Sequence, residues 1–180
     1  MIEFLTPSLG AYIALALSLL LLICSGFVSA SEIAFFSLSP SDLSDIEELK
    51  HPSDKKILRL RERSEHLLAT ILISNNFVNV SIIMLLNFFF LKWLRFGEGA
   101  EVLQFLIMTV ILTFLLLLFG EIVPKIYSKQ HSRKFCRFAA PVFCVLDKLC
   151  HPLAVLLVRS QKITDIVGHD AQSLTVDDLE

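Results

Sequence analysis

Three uncharged, apolar runs dominate the chain: Phe4 to Ser31, Leu67 to Leu91 and Val102 to Gly120. Each is long enough to supply the roughly 20 residues that carry a helix across a bilayer core, so the pattern predicts three crossings, at about residues 4–36, 66–92 and 101–127. Charge lies between them. Ser37 to His66 holds Lys50, Lys55, Lys56, Arg59, Arg61 and Arg63, and Lys125, Lys129, Arg133, Lys134 and Arg137 follow the third run. The connection between the second and third runs has only Lys92 and Arg95, set against Glu98 and Glu101. The positive-inside rule then predicts the N-terminus outside and both basic stretches, with the C-terminus, in the cytoplasm.

Ser39-Pro40-Ser41-Asp42-Leu43 has the form of a helix start, with proline early and acid in the first turn, and predicts a juxtamembrane helix pair over about residues 40–65. A second juxtamembrane region is expected at about residues 130–162. Within it, Phe138 to Val158 is apolar but carries Asp147 and Lys148 at its centre and prolines at 141 and 152. That favours a bent helical pair at the inner leaflet, its charges snorkelling to water, over a fourth crossing. Residues 1–165 then make one membrane domain. Residues 166–180 read as the start of a cytoplasmic region, with Ser173 to Glu180 resembling the opening of an acidic helix.

Composition agrees with this picture. The chain is 54% hydrophobic with mean hydropathy +0.68, which belongs to an all-α membrane protein in contact with lipid. A net charge of −2 gives no reason to expect nucleic acid. Cys24, Cys136, Cys144 and Cys150 form no C-x-x-C pair and read as small hydrophobes. No basic segment or small-residue cleavage site accompanies the first apolar run, so it is expected to be a retained helix and not a signal peptide.

Three polar clusters interrupt the apolar runs: Ser25-Gly26-Phe27-Val28-Ser29-Ala30-Ser31-Glu32, Ser74-Asn75-Asn76-Phe77-Val78-Asn79 and Gly120-Glu121-Ile122-Val123-Pro124-Lys125. Hydroxyl, amide and carboxylate groups are costly inside a membrane and mark ion or substrate paths. Ser25 and Ser29 share a helical face with Glu32 nearby, and such small polar residues serve helix packing and ion contact equally well. Asn75 and Asn79 also share a face, with Asn76 beside them. Pro124 has no N–H, so in an α-helix the Gly120 carbonyl loses its partner next to the Glu121 carboxylate, as in cation sites built from broken helices. The plainer alternative is that Pro124 ends the third crossing and Glu121 pairs with Lys125.

All these ligand atoms are oxygen, which suits Mg2+, Ca2+ or Na+ over zinc or copper. Asn75 lies about 13 Å in from the cytoplasmic side at 1.5 Å per residue, placing such a site in the inner half of the membrane.

At these same residues the chain resembles the transmembrane (DUF21) domain of the CorC/CNNM family of magnesium transporters. Phe27 to Ser37 is similar to the family's F-x-S-G-S-E-x-A-x-x-S pattern, Ser74 to Val80 to G-N-x-L-x-N-I, and Gly120 to Lys125 to G-E-I-x-P-K. Ala30 and Ser74 stand where the family has Gly, and both are expected to tighten helix contacts and alter ion access.

The resemblance implies three transmembrane helices with juxtamembrane helices, assembled as a homodimer in the bacterial inner membrane. It implies export of Mg2+ coupled to Na+ entry, with ATP bound only by a CBS-domain pair, often followed by a CorC-type domain, neither of which lies in this chain. Carried over by position, the ion ligands are Ser29, Asn75, Asn79, Glu121 and the Gly120 carbonyl, supported by Ser25, Ser31, Glu32, Asn76 and Pro124. A rival reading is a non-transporting scaffold or divalent-ion sensor that acts through its cytoplasmic domain. No activated nucleophile or acid–base pair suggests an enzyme.

Overall fold

A computed structural model describes residues 2–4, 6–96 and 101–177, with side chains described for residues 6–94 and 102–160. The architecture is all-helical apart from one short strand pair. In order come β1 (Ile2–Phe4), α1 (Leu9–Phe36), α2 (Pro40–Glu47), α3 (Asp54–Glu62), α4 (Ser64–Trp93), β2 (Leu94–Phe96) and α5 (Glu101–Leu115). A π-helix over Leu116–Ile122, α6 (Val123–Gln130) and α7 (Ser132–Asp177) follow. β1 and β2 pair antiparallel, Ile2 opposite Phe96, tying the start of the chain to the far end of α4. No sequence pattern had suggested these strands.

Burial is arranged for a lipid solvent. Leu9, Ile13, Leu20 and Ile23 of α1 are exposed while Ser18, Ser25, Ser29 and Ser31 on the same helix are buried. Water would reverse that order, whereas in lipid the apolar side chains face outward and the polar ones seek one another. The chain is an integral membrane protein. Four helices are long and apolar enough to cross a bilayer: Leu9–Phe36, Ser64–Trp93, Val102–Gln130 and Ser132–Ser160.

The packed core lies at the basic end of the helices. Phe35, Ile46, Ile57, Leu67, Cys136 and Phe143 are fully buried there, joining α1, α2, α3, α4 and α7 in one cluster. Phe27 stacks with Phe143 at 6.1 Å and meets Phe138 edge-on at 5.7 Å. Two short helices, α2 and α3, occupy the region where a helix pair is expected. Ser39 caps α2 in a reciprocal capping box with Asp42, and Pro40 takes the first helical position, where its missing N–H costs nothing. The pair is bound to α7 by charge: Arg133 pairs with Asp45, and Arg137 donates through Nε and Nη2 to the two oxygens of Asp54 at 2.8 and 3.1 Å.

The region after the third crossing differs from expectation. In place of a bent pair, α7 is one continuous helix that contains both Pro141 and Pro152. Each proline removes one backbone bond, from the carbonyls of Arg137 and Lys148, and packing supplies what holds the helix together. Ala139, Ala140 and Phe143 are buried on one side of Pro141, and Ala154 lies beyond Pro152. Asp147 is part-exposed, and its Oδ1 accepts from Thr70 Oγ1 at 3.4 Å and lies 3.3 Å from His66 Nδ1, both on α4. The helix also runs past residue 165 to Asp177, without a new start at Ser173. The rest of the expected acidic helix, residues 178–180, lies outside the described residues.

Candidate functional site

Helices α1 and α4 form the principal antiparallel pair, and their polar residues meet as two rungs of one ladder. Ser25 Oγ donates to Asn79 Oδ1 at 2.7 Å, and Ser29 Oγ reaches Asn75 Oδ1 at 3.4 Å. Ser25 Oγ also lies 3.3 Å from Asn75 Oδ1. The i,i+4 spacing on each helix makes this possible, because it stacks both residues on one face. Both serines are completely buried.

The third wall is the π-helix. Asn79 turns its amide Nδ2 to Glu121 Oε1 at 3.3 Å, so the carboxylate closes the cluster opposite Ser25. Two glycines allow this approach. A Cβ on Gly120 would stand 3.1 Å from Ser25 Oγ, and one on Gly26 would stand 3.0 Å from Pro124 Cγ and 3.5 Å from the Phe119 carbonyl oxygen. Neither helix could carry a larger residue there without moving its neighbour.

The π register changes which carbonyl the proline frees. The N–H of Val123 bonds to the Leu118 carbonyl, five residues back. The next bond in that register would run from residue 124 to Phe119, and Pro124 has no hydrogen to make it. In that register it is the Phe119 carbonyl, lying toward Gly26, whose partner Pro124 cannot supply. Gly120 supplies the gap that Ser25 fills. Single π-turns of this kind inside α-helices gather at functional sites.

The cluster gathers oxygen from three helices. The Ser25 and Ser29 hydroxyls face the Asn75 and Asn79 amide oxygens, and the Asn79 amide N–H faces the Glu121 carboxylate. No group of three or more His, Cys, Asp or Glu occurs among the described residues, so the chemistry on offer is neutral oxygen plus one negative charge. That is a ligand set for a hard cation.

Of the residues singled out in the sequence, Ser25, Ser29, Asn75, Asn79, Gly120, Glu121 and Pro124 come together. Three do not. Ser31 donates to its own helix at the Phe27 carbonyl, 2.7 Å away; Asn76 is exposed on α4; and Glu32 pairs with Lys125 at 3.0 Å. This last bridge also replaces the alternative Glu121–Lys125 pair and leaves Glu121 to Asn79. Sequence reasoning missed Ser128, a buried hydroxyl on α6 that donates to the Ala30 carbonyl and pins α6 to α1. Its place four residues after Pro124 was the only signal. Ala30 is buried in that contact, and Ser74 is buried against α7 with its Oγ 3.9 Å from Cys150 Sγ. Both positions where the family has glycine are thus packing positions.

Comparison with known proteins agrees with this architecture. Residues 16–180 match the family model for the cyclin M (CNNM) transmembrane N-terminal domain. The chain is 30% identical over 176 residues to a protein named metal transporter cnnm-4 of Caenorhabditis elegans, covering 89% of this chain. It is 31% identical over 156 residues to a UPF0053 protein of Haemophilus influenzae, covering 84%, and 27% identical over 167 residues to a DUF21 domain-containing protein of Arabidopsis thaliana, covering 91%. It spans 36% of the length of each. The ladder between α1 and α4, the broken third helix and the family match together assign the chain to the CNNM transmembrane domain family.

Proposed function

We propose that this chain is the ion-handling membrane unit of a divalent-cation transporter, and that the cation is Mg2+. The observation that carries the reading is the set of hydroxyl, amide and carboxylate oxygens gathered from three helices at a helix break. The name of the Caenorhabditis elegans relative, a metal transporter, supports the class of cargo. Mg2+ gives up its water reluctantly. The cluster answers with Glu121 for charge and with Ser25, Ser29, Asn75 and Asn79 as neutral oxygens that replace part of the hydration shell.

In this reading the basic end of the helices faces the cytoplasm of a bacterial cell and the N-terminus faces outside. Mg2+ enters from the basic end, two chains work as a homodimer, and inward Na+ movement drives export. Binding of Mg2+ is tested by thermal unfolding of the purified chain in detergent. A ligand that binds only the folded state raises stability with its concentration. Mg2+ is expected to raise Tm in the wild type and to lose that effect in Glu121→Ala. Equal Tm with and without Mg2+ contradicts the reading.

One observation favours a second reading, the scaffold. The 2.7 Å bond from Ser25 to Asn79 is a good interhelical hydrogen bond in its own right, of the sort that holds membrane helices together without any ion. A scaffold would be indifferent to Mg2+ in the same measurement.

A further inference from the structure

A second polar feature lies away from the ion cluster, where α3, the start of α4 and α7 meet. It is a cavity of about 340 Å³. Lys56 and Arg59 lie one turn apart on α3 with Lys55 beside them, Arg63 stands at the break before α4, and Lys148 of α7 completes the set. None of these five side chains forms an ion pair among the described residues; one acid, Asp147, also lines the cavity, its Oδ1 3.3 Å from His66 Nδ1 and 3.4 Å from Thr70 Oγ1, and Asp54 nearby pairs with Arg137. The floor is apolar, made by Leu60, Leu67 and Cys144.

We infer that this cavity binds the phosphate of an anionic phospholipid. Five cations against one carboxylate around the recess favour an anion, and basic pockets between membrane helices are suited to lipid headgroups. The surroundings favour a lipid over a free phosphate. Leu68 and Leu72 on α4 and Val145 and Leu149 on α7, close in sequence to the lining residues Leu67, Cys144 and Lys148, are exposed, so acyl chains have apolar helix faces to lie along while the headgroup sits among the cations. The lipid then bridges α3 to both long helices and holds the juxtamembrane pair against the membrane.

The test is a titration of this chain, in uncharged detergent, with phosphatidylglycerol or with phosphatidylcholine of the same acyl chains, read by thermal unfolding. Phosphatidylglycerol is expected to raise Tm and phosphatidylcholine to leave it unchanged. Two cations near an anionic headgroup are together worth about 30-fold in affinity, so Lys56→Gln/Arg59→Gln is expected to shift the midpoint by that factor. Lys148→Gln, on α7, should shift it about five-fold, and it decides the matter if the double variant does not fold. Lys129→Gln/Lys134→Gln removes as much charge outside the cavity and is expected to bind as the wild type does. Wild-type affinity in the cavity variants, or an equal loss in the outside pair, overturns the inference. So does inorganic phosphate that stabilises the chain as well as phosphatidylglycerol, which would assign the site to a soluble anion.

Discussion

Asn79 holds Glu121 across the boundary between α4 and the π-helix, donating from Nδ2 to Oε1 at 3.3 Å while its own Oδ1 accepts from Ser25 at 2.7 Å. One side chain thus joins all three walls of the cluster. It sets the carboxylate and one hydroxyl around the same small volume.

Replacing Asn79 with leucine keeps the bulk and removes both contacts. Hydrogen bonds to charged groups are worth about 1.5–3 kcal/mol, so Mg2+ binding is expected to weaken by about ten-fold or more. Isothermal titration, with Tm as the check on folding, measures this. Unchanged affinity would remove Asn79 from the site.

The two glycines make a prediction about shape alone. Gly26→Ala places a methyl 3.0 Å from Pro124 Cγ, in a contact formed with the rigid proline ring. Overpacking of this kind costs about 1–3 kcal/mol. Gly120→Ala meets Ser25 Oγ at 3.1 Å, and here the neighbour can be trimmed. Gly120→Ala with Ser25→Ala is therefore expected to be less destabilised than the sum of the single changes, as read by a double-mutant cycle on Tm.

Asp54 gives a pH dependence. Burial by itself would raise its pKa, but the hydrogen bonds from Arg137 and the His51 N–H, with the Arg137 charge, outweigh burial and hold the carboxyl below its ordinary value. A depressed carboxyl stabilises the fold at neutral pH, and the contribution is lost as pH falls through the folded-state value. The ordinary value is about 4, so the loss begins only below that pH. Asp54→Asn is expected to lower Tm at pH 7, with the gap to wild type narrowing as pH falls below about 4. A gap that stays constant through that range would show that the charge is not what the fold uses.

Leu49 ends α2 with φ of 54°, a left-handed conformation that costs a branched-chain residue about 1–2 kcal/mol and suits glycine at a helix C-terminus. Its side chain is exposed, so little packing is lost on removal. Leu49→Gly is expected to keep or raise Tm. A clear fall would mean that Leu49 makes an apolar contact with lipid or another chain.

The three long apolar helices were legible because uncharged length is a direct signal, and the capped start of α2 because Ser39, Pro40 and Asp42 each carry a positional meaning. The shared faces of Ser25 with Ser29 and Asn75 with Asn79 followed from helical spacing. What the sequence could not show was pairing between distant elements. Glu121 and Lys125 look like a natural i,i+4 pair, yet Lys125 goes to Glu32, because the π-turn rotates Glu121 toward α4. By sequence Asp147 reads as a charge reaching water; its partners, Thr70 and His66, lie on another helix that local sequence does not bring near. Proline at 141 and 152 signalled a break by local rules, and tertiary packing overrode them.

The central claim is that the oxygen cluster around Glu121 carries Mg2+ across the membrane. The most direct test is Mg2+ flux into or out of proteoliposomes under an imposed Na+ gradient, with the wild-type chain beside Glu121→Ala. Gradient-dependent flux in the wild type that is lost in the folded variant is the predicted result; equal flux in the two would contradict it.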